Sequence, residues 1–61
     1  MYRKIAELMQ KNNVTAYHVA KATGLSNSAF STWKNGRNKP NVEALQKLAE
    51  YFGVSVDYFL D

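Results

Sequence analysis

Apolar positions in this chain recur at intervals of three and four residues, and the runs they form break at Asn12-Asn13, Gly24, Asn35-Gly36 and Gly53. That spacing lines up the apolar side chains of each run on one face of a helix. Segment one, from about Tyr2 to Lys11, carries Ile5, Leu8 and Met9 on one face, and Tyr2 extends it. Segment two opens at Thr15, whose hydroxyl suits an N-cap, and runs to Thr23; Gly24 then supplies the left-handed backbone on which many helices end. Segment three is capped by Ser26 and stopped by Asn35-Gly36. After the loop Arg37-Asn38-Lys39-Pro40, Asn41 caps segment four, where Val42, Leu45, Leu48, Ala49 and Phe52 form the stripe and Gly53 closes the helix. Segment five is brief, with Ser55 as N-cap and Asp57 in its first turn. Val54 and Phe59 flank that cap at the spacing of a hydrophobic staple. No stretch alternates with period two for long enough to make a strand, so residues 1–61 are predicted to form one all-α domain of five helices.

Three positions in the middle of the chain fit a tight turn between two crossing helices. Ala20 is small where the backbones approach, Gly24 sits where the chain reverses, and Phe30 is large where the second helix faces the crevice. Val19, Leu25 and Trp33 supply further apolar positions. This spacing predicts a helix-turn-helix over residues 16–35. On a wheel of segment three, Phe30 and Trp33 point one way with Ala29 beside them. Ser28, Ser31, Thr32 and Asn35 point the other way, and Asn27 projects from the first turn. Ser, Thr and Asn are poor helix formers, so a solvated face would favour Glu, Lys or Gln instead. Small hydrogen-bonding side chains on that face suit base edges: Asn pairs with adenine, Ser and Thr with bases or phosphates, and the Thr methyl with a thymine methyl.

Charge sharpens the picture more than composition does. The 61 residues carry a net charge of +3. No acidic residue lies between Glu7 and Glu43, a stretch holding Lys11, Lys21, Lys34, Arg37 and Lys39, while the acids gather at the ends as Glu7, Glu43, Glu50, Asp57 and Asp61. A basic middle suits a polyanion. Thr15 and Ser26 sit where helix N-termini would offer free N–H groups to phosphates, and Asn35, Gly36, Arg37 and Lys39 are expected to form a flexible basic loop beside them. Such contacts add affinity and salt dependence with little sequence information.

Other chemistries find little support. With no cysteine and one histidine, neither a disulfide framework nor a zinc site is expected, and His18 reads as a surface residue or a phosphate neighbour. Trp33 shares the phase of Phe30, which favours core packing over base stacking. Phe52 and Phe59 are expected in the core, with Tyr51 and Tyr58 partly exposed and available to a dimer contact. Glu43 and Lys47 are spaced as an i,i+4 ion pair. No nucleophile–base pair or phosphate-binding glycine loop is present, so no enzyme activity and no cofactor are expected. No apolar run reaches the length of a membrane span and no signal peptide is evident, so the expected location is the cytoplasm, beside the nucleoid.

The run TAYHVAKATGLSNSAFSTWKNGRNKPNVEALQKLAEYFGVSVDYFL resembles the Cro/CI-type, or XRE, helix-turn-helix family of phage repressors and bacterial regulators. The resemblance covers nearly the whole chain. It is carried by the helix pair, the S-x-WK-x-G stretch, the proline before segment four and the LA-x-x-F-G-V-S-x-D-x-F-L ending. It implies a five-helix, lambda-repressor-like domain that binds double-stranded operator DNA as a transcriptional regulator, a repressor by expectation. Binding is expected as a homodimer on a near-palindromic site. By position, Asn27, Ser28 and Thr32 match base-reading positions, with Ser31 on the same face. Thr15, Ser26, Asn35 and Arg37 match phosphate-contact positions, and Lys39 joins them from the loop. Many members carry Gln where this chain has Ala16, so that bridging contact must be lost or passed to Tyr17 or Lys21. The recognition helix also lacks Gln and Arg, which leaves room for DNA shape to supply part of the specificity. A protein-docking adaptor on the same fold is the competing class, and RNA binding lacks the surface aromatics it would need. An antitoxin or restriction-controller role is equally compatible with the resemblance. The chain reads either as a minimal regulator or as the N-terminal piece of a longer repressor, and alone as a monomer or weak dimer.

Overall fold

Each predicted segment forms a helix in the computed structural model, which describes residues 1–60: α1 Tyr2–Lys11, α2 Ala16–Thr23, α3 Asn27–Lys34, α4 Val42–Phe52 and α5 Val56–Leu60. No strand is present among the described residues, and the fold is all-α. Asp61, counted above among the terminal acids, lies outside them.

The helix ends explain why such short helices hold. Helices of eight residues are marginal in isolation, so their orphan N–H and C=O groups need partners. At the head of α2 the Thr15 hydroxyl accepts the His18 N–H at 3.2 Å, and at the head of α4 Asn41 Oδ1 accepts the Ala44 N–H at 2.8 Å. Ser26 occupies the N-cap of α3 but makes no cap bond; its Oγ lies 2.7 Å from Ser28 Oγ. At the other end, α1 closes in a Schellman motif built on asparagine. Asn13 takes φ 56°, its N–H donates to Gln10 O, and the Val14 N–H donates to Met9 O. The α3 helix closes the same way on Gly36 at φ 75°, with the Gly36 N–H on Trp33 O and the Arg37 N–H on Thr32 O.

All five helices share one core. Ile5, Leu8 and Met9 of α1 meet Val19 and Ala20 of α2, Phe30 and Trp33 of α3, Ala44, Leu45, Leu48 and Ala49 of α4, and Phe59 of α5. Each large apolar side chain fully buried there contributes about 1.5–3 kcal/mol. The α2 helix packs on α3 and α4, and α4 packs on α5. Lys4 ties the first helix to the last, its Nζ donating to Tyr58 O at 2.9 Å and lying 5.2 Å from the Tyr58 ring centroid. Val54 packs against this core and Phe59 is buried within it.

One stripe position departs from expectation. Val42 has the helical phase of Leu45 and Ala49 yet is 67% exposed, and Ala44 is buried instead. Phase fixes the direction a side chain faces, not whether a neighbour is there to meet it, and Val42 is the first residue of α4. The stretch 35–39, expected as a flexible basic loop, is bonded back to α3 at its start. Its start is held by the Schellman bonds of Gly36 and Arg37, and it ends at Pro40, which is buried.

Candidate nucleic-acid interface

The turn between α2 and α3 is held from within. Gly24 adopts φ 79°, a conformation that costs a side-chain-bearing residue roughly 1–2 kcal/mol, and its N–H donates to Ala20 O at 2.9 Å. The Thr23 hydroxyl donates back to Val19 O at 2.7 Å and lies 3.4 Å from the Leu25 N–H as acceptor. Position alone marks Thr23 as the last residue before glycine; the signal for its further role is the habit of threonine hydroxyls to back-bond four residues along a helix.

Beyond that turn, α3 divides cleanly into two faces. Phe30 and Trp33 are buried with ring centroids 4.8 Å apart, so Trp33 belongs to the core and not to a stacking surface. Ser26, Asn27, Ser28, Ser31 and Asn35 are exposed on the outer side, and Thr32 is half-buried at its margin. Three of these residues are wired together. Ser26 and Ser28 share a hydroxyl–hydroxyl bond, and Thr32 Oγ1 donates to the Ser28 carbonyl at 3.1 Å. The outer face is therefore a short polar strip that carries no formal charge from Asn27 to Thr32.

The cations in the middle of the chain are exposed as well. Lys11, Lys21, Lys34, Arg37 and Lys39 are all exposed, and none is ion-paired among the described residues. The surface ion pairs lie elsewhere, Arg3 with Glu7 at 3.8 Å and Lys47 with Glu43 at 3.6 Å, the second as its i,i+4 spacing predicts. Exposed cations with no ion pair among the described residues leave positive potential available to an anionic ligand. Arg37 and Lys39 lie in the loop just past α3, and the Schellman closure bonds the Arg37 N–H to Thr32 O of that helix.

At the head of α2, Thr15 and Tyr17 are exposed, Tyr17 by 60%. Lys21 Nζ lies 6.0 Å from the Tyr17 ring centroid, so the two residues suggested as replacements for the absent glutamine lie side by side. His18 faces Thr15 through Nδ1 at 3.2 Å. No group of metal-ligating side chains occurs among the described residues, and none of their helices is long and apolar enough to cross a membrane.

A helix-turn-helix family model matches residues 5–59, almost the full span of the five helices. The chain belongs to the XRE-type helix-turn-helix family. Its relatives include the HTH-type transcriptional activator BcrR of Enterococcus faecalis, 32% identical over 57 residues that cover 93% of this chain and 28% of the relative. The HTH-type transcriptional regulators PuuR of Escherichia coli (strain K12) and AnsR of Bacillus subtilis (strain 168) are each 30% identical over 93% of this chain, which covers 31% and 49% of them. This helix-turn-helix chain thus spans from under a third to about half the length of these relatives. No solved structure matches it significantly.

Proposed function

We propose that this chain is the sequence-specific, double-stranded-DNA-binding domain of a bacterial or phage transcriptional regulator, with the helix and its end, residues 27–35, entering the major groove. The observation that carries this is the division of α3: Phe30 and Trp33 are buried, while Asn27, Ser28, Ser31 and Asn35 are exposed, in a chain whose central cations are exposed and make no ion pair among the described residues. Asn27, Ser28, Ser31 and Thr32 contact base edges, where their donors and acceptors distinguish base pairs. Thr15, Tyr17, Ser26, Asn35, Arg37 and Lys39 contact phosphates and set the register. Family membership and relatives named as transcription regulators support the same assignment. Repression is the simpler direction, since occupying a site that overlaps a promoter is enough for it. Binding as a homodimer would place two half-sites about one helical turn apart, roughly 34–36 Å.

The test is selection of bound genomic fragments, followed by titration of the best site at two salt concentrations. A specific site should bind at least about a thousandfold more tightly than unrelated duplex. Equal affinity for every sequence would sink the proposal, and an absence of DNA binding would favour a protein-docking adaptor. Two substitutions separate the roles. Ser28→Ala should relax base preference at one position, whereas Arg37→Ala should weaken all sequences alike and reduce the salt slope by about one.

A further inference from the structure

We infer that each half-site is read chiefly as A·T pairs, the Asn27 amide taking an adenine edge and the Thr32 methyl packing on a thymine methyl. This deepens the DNA-binding function proposed above and rests on it.

The argument turns on which hydrogen-bonding groups remain free on the outer face of α3. Guanine shows two acceptors in the major groove, N7 and O6, and is matched best by the paired donors of arginine or by lysine. Adenine shows one acceptor and one donor, which a carboxamide matches with one atom of each kind. The outward strip has no arginine and no lysine. Lys34, the last residue of α3, instead lines a groove with Met1, Tyr2 and Trp33, on the side of α1.

The hydroxyls are partly spent. Thr32 commits its one O–H to the Ser28 carbonyl, so what it keeps for a ligand is a methyl group and oxygen lone pairs. Ser26 and Ser28 use one proton between their two oxygens and retain one donor for the pair. Asn27 differs. It is exposed, it is the first residue of α3, and its amide has no hydrogen-bond partner among the described residues. The N-terminal residues of a recognition helix are those that approach base edges, so Asn27 is the amide placed to use both of its functions. Asn35, the second exposed amide, lies at the far end and falls to the phosphates.

The experiment replaces single base atoms in duplexes that the protein itself has selected. Each adenine of the half-site is changed in turn to 7-deazaadenine, each guanine to 7-deazaguanine and each thymine to uracil. Binding is measured for the unmodified protein and for Asn27→Ala and Thr32→Ser, with circular dichroism to confirm that both variants fold. One 7-deazaadenine should weaken binding by roughly fivefold or more, and this penalty should vanish in Asn27→Ala, as expected of a coupled pair. One uracil should carry a penalty that vanishes in Thr32→Ser, which keeps the hydroxyl and removes the methyl. The 7-deazaguanine duplexes should bind within about twofold of the parent. If affinity instead depends on guanine N7 while the adenine positions are silent, the inference is overturned. It is equally overturned by a specific site in which no single-atom change matters, since that would mean recognition by shape alone. In both cases the proposed function survives. Equal affinity for all sequences would remove the function and this inference together.

Discussion

Asn41 Oδ1 accepts the Ala44 N–H at 2.8 Å at the head of α4, whereas Ser26, at the head of α3, turns its hydroxyl to Ser28. The two N-caps therefore do different work. A side-chain cap satisfies one of the orphan N–H groups of a helix, and its loss costs about 1 kcal/mol on average. Asn41→Ala should destabilise the domain by about 1 kcal/mol, while Ser26→Ala should cost no more than about half of that. Urea unfolding of the two variants checks the ranking, and an equal or inverted loss would contradict the assignment of caps. The functional effects should run the other way. With the Ala29 N–H donating to the Ser26 carbonyl, the N–H groups of Asn27 and Ser28 are the ones left for a phosphate, and the Ser26 hydroxyl belongs to the same turn. Removing it should lower DNA affinity, whereas Asn41→Ala should leave the affinity of the folded domain unchanged.

At the scale of the element, α3 has to serve two masters. Its inner face fixes the helix and its outer face is free to vary. Phe30→Ala should remove about 3–5 kcal/mol. That matches or exceeds much of the total stability of a 61-residue domain, about 3–9 kcal/mol at typical values per residue. The variant should be largely unfolded at room temperature by far-UV circular dichroism, while Ser31→Ala, one residue on, should stay within about 0.5 kcal/mol of the parent. A well-folded Phe30→Ala would mean that the crevice can collapse around the loss. The same division explains what was legible in the sequence. The first four helices could be read because each carries its own stop signal, the fifth because Ser55 and the Val54–Phe59 spacing mark its start, and the two faces of α3 follow from wheel phase alone. Val42 could not be placed, because phase does not say where a neighbouring helix ends. The anchoring of Arg37 was hidden too, since backbone bonds of Gly36 and Arg37 to Trp33 and Thr32 leave no mark in side-chain pattern beyond a glycine. The bonding among Ser26, Ser28 and Thr32 was likewise invisible, although the residues themselves were picked out. Spacing shows which side chains share a face and not which hydroxyl donates to which acceptor.

At the scale of the whole molecule, the surface is sorted by charge while the core is shared by every helix. Among the described residues the ion pairs sit on α1 and α4, and the cations between Glu7 and Glu43 take part in none. A domain this small buries only about 60% of the surface its unfolded chain exposes, so its stability is modest and any ligand of the folded state should register strongly. That gives a measurement needing no substitution. A ligand at a hundred times its Kd adds about 2.7 kcal/mol to folding stability, and for a domain of this size about 1 kcal/mol moves Tm by about 4–8 °C. Selected operator at that excess should therefore raise Tm by roughly 10–20 °C. Unrelated duplex at the same concentration, bound about a thousandfold more weakly, should shift it by no more than about one degree. Salt should erase the operator's shift steeply, because each released counterion enters the affinity as a power of the salt concentration. A shift that is equal for both duplexes and lost in moderate salt would show a purely electrostatic grip, in which the cations bind DNA and the polar strip of α3 reads nothing.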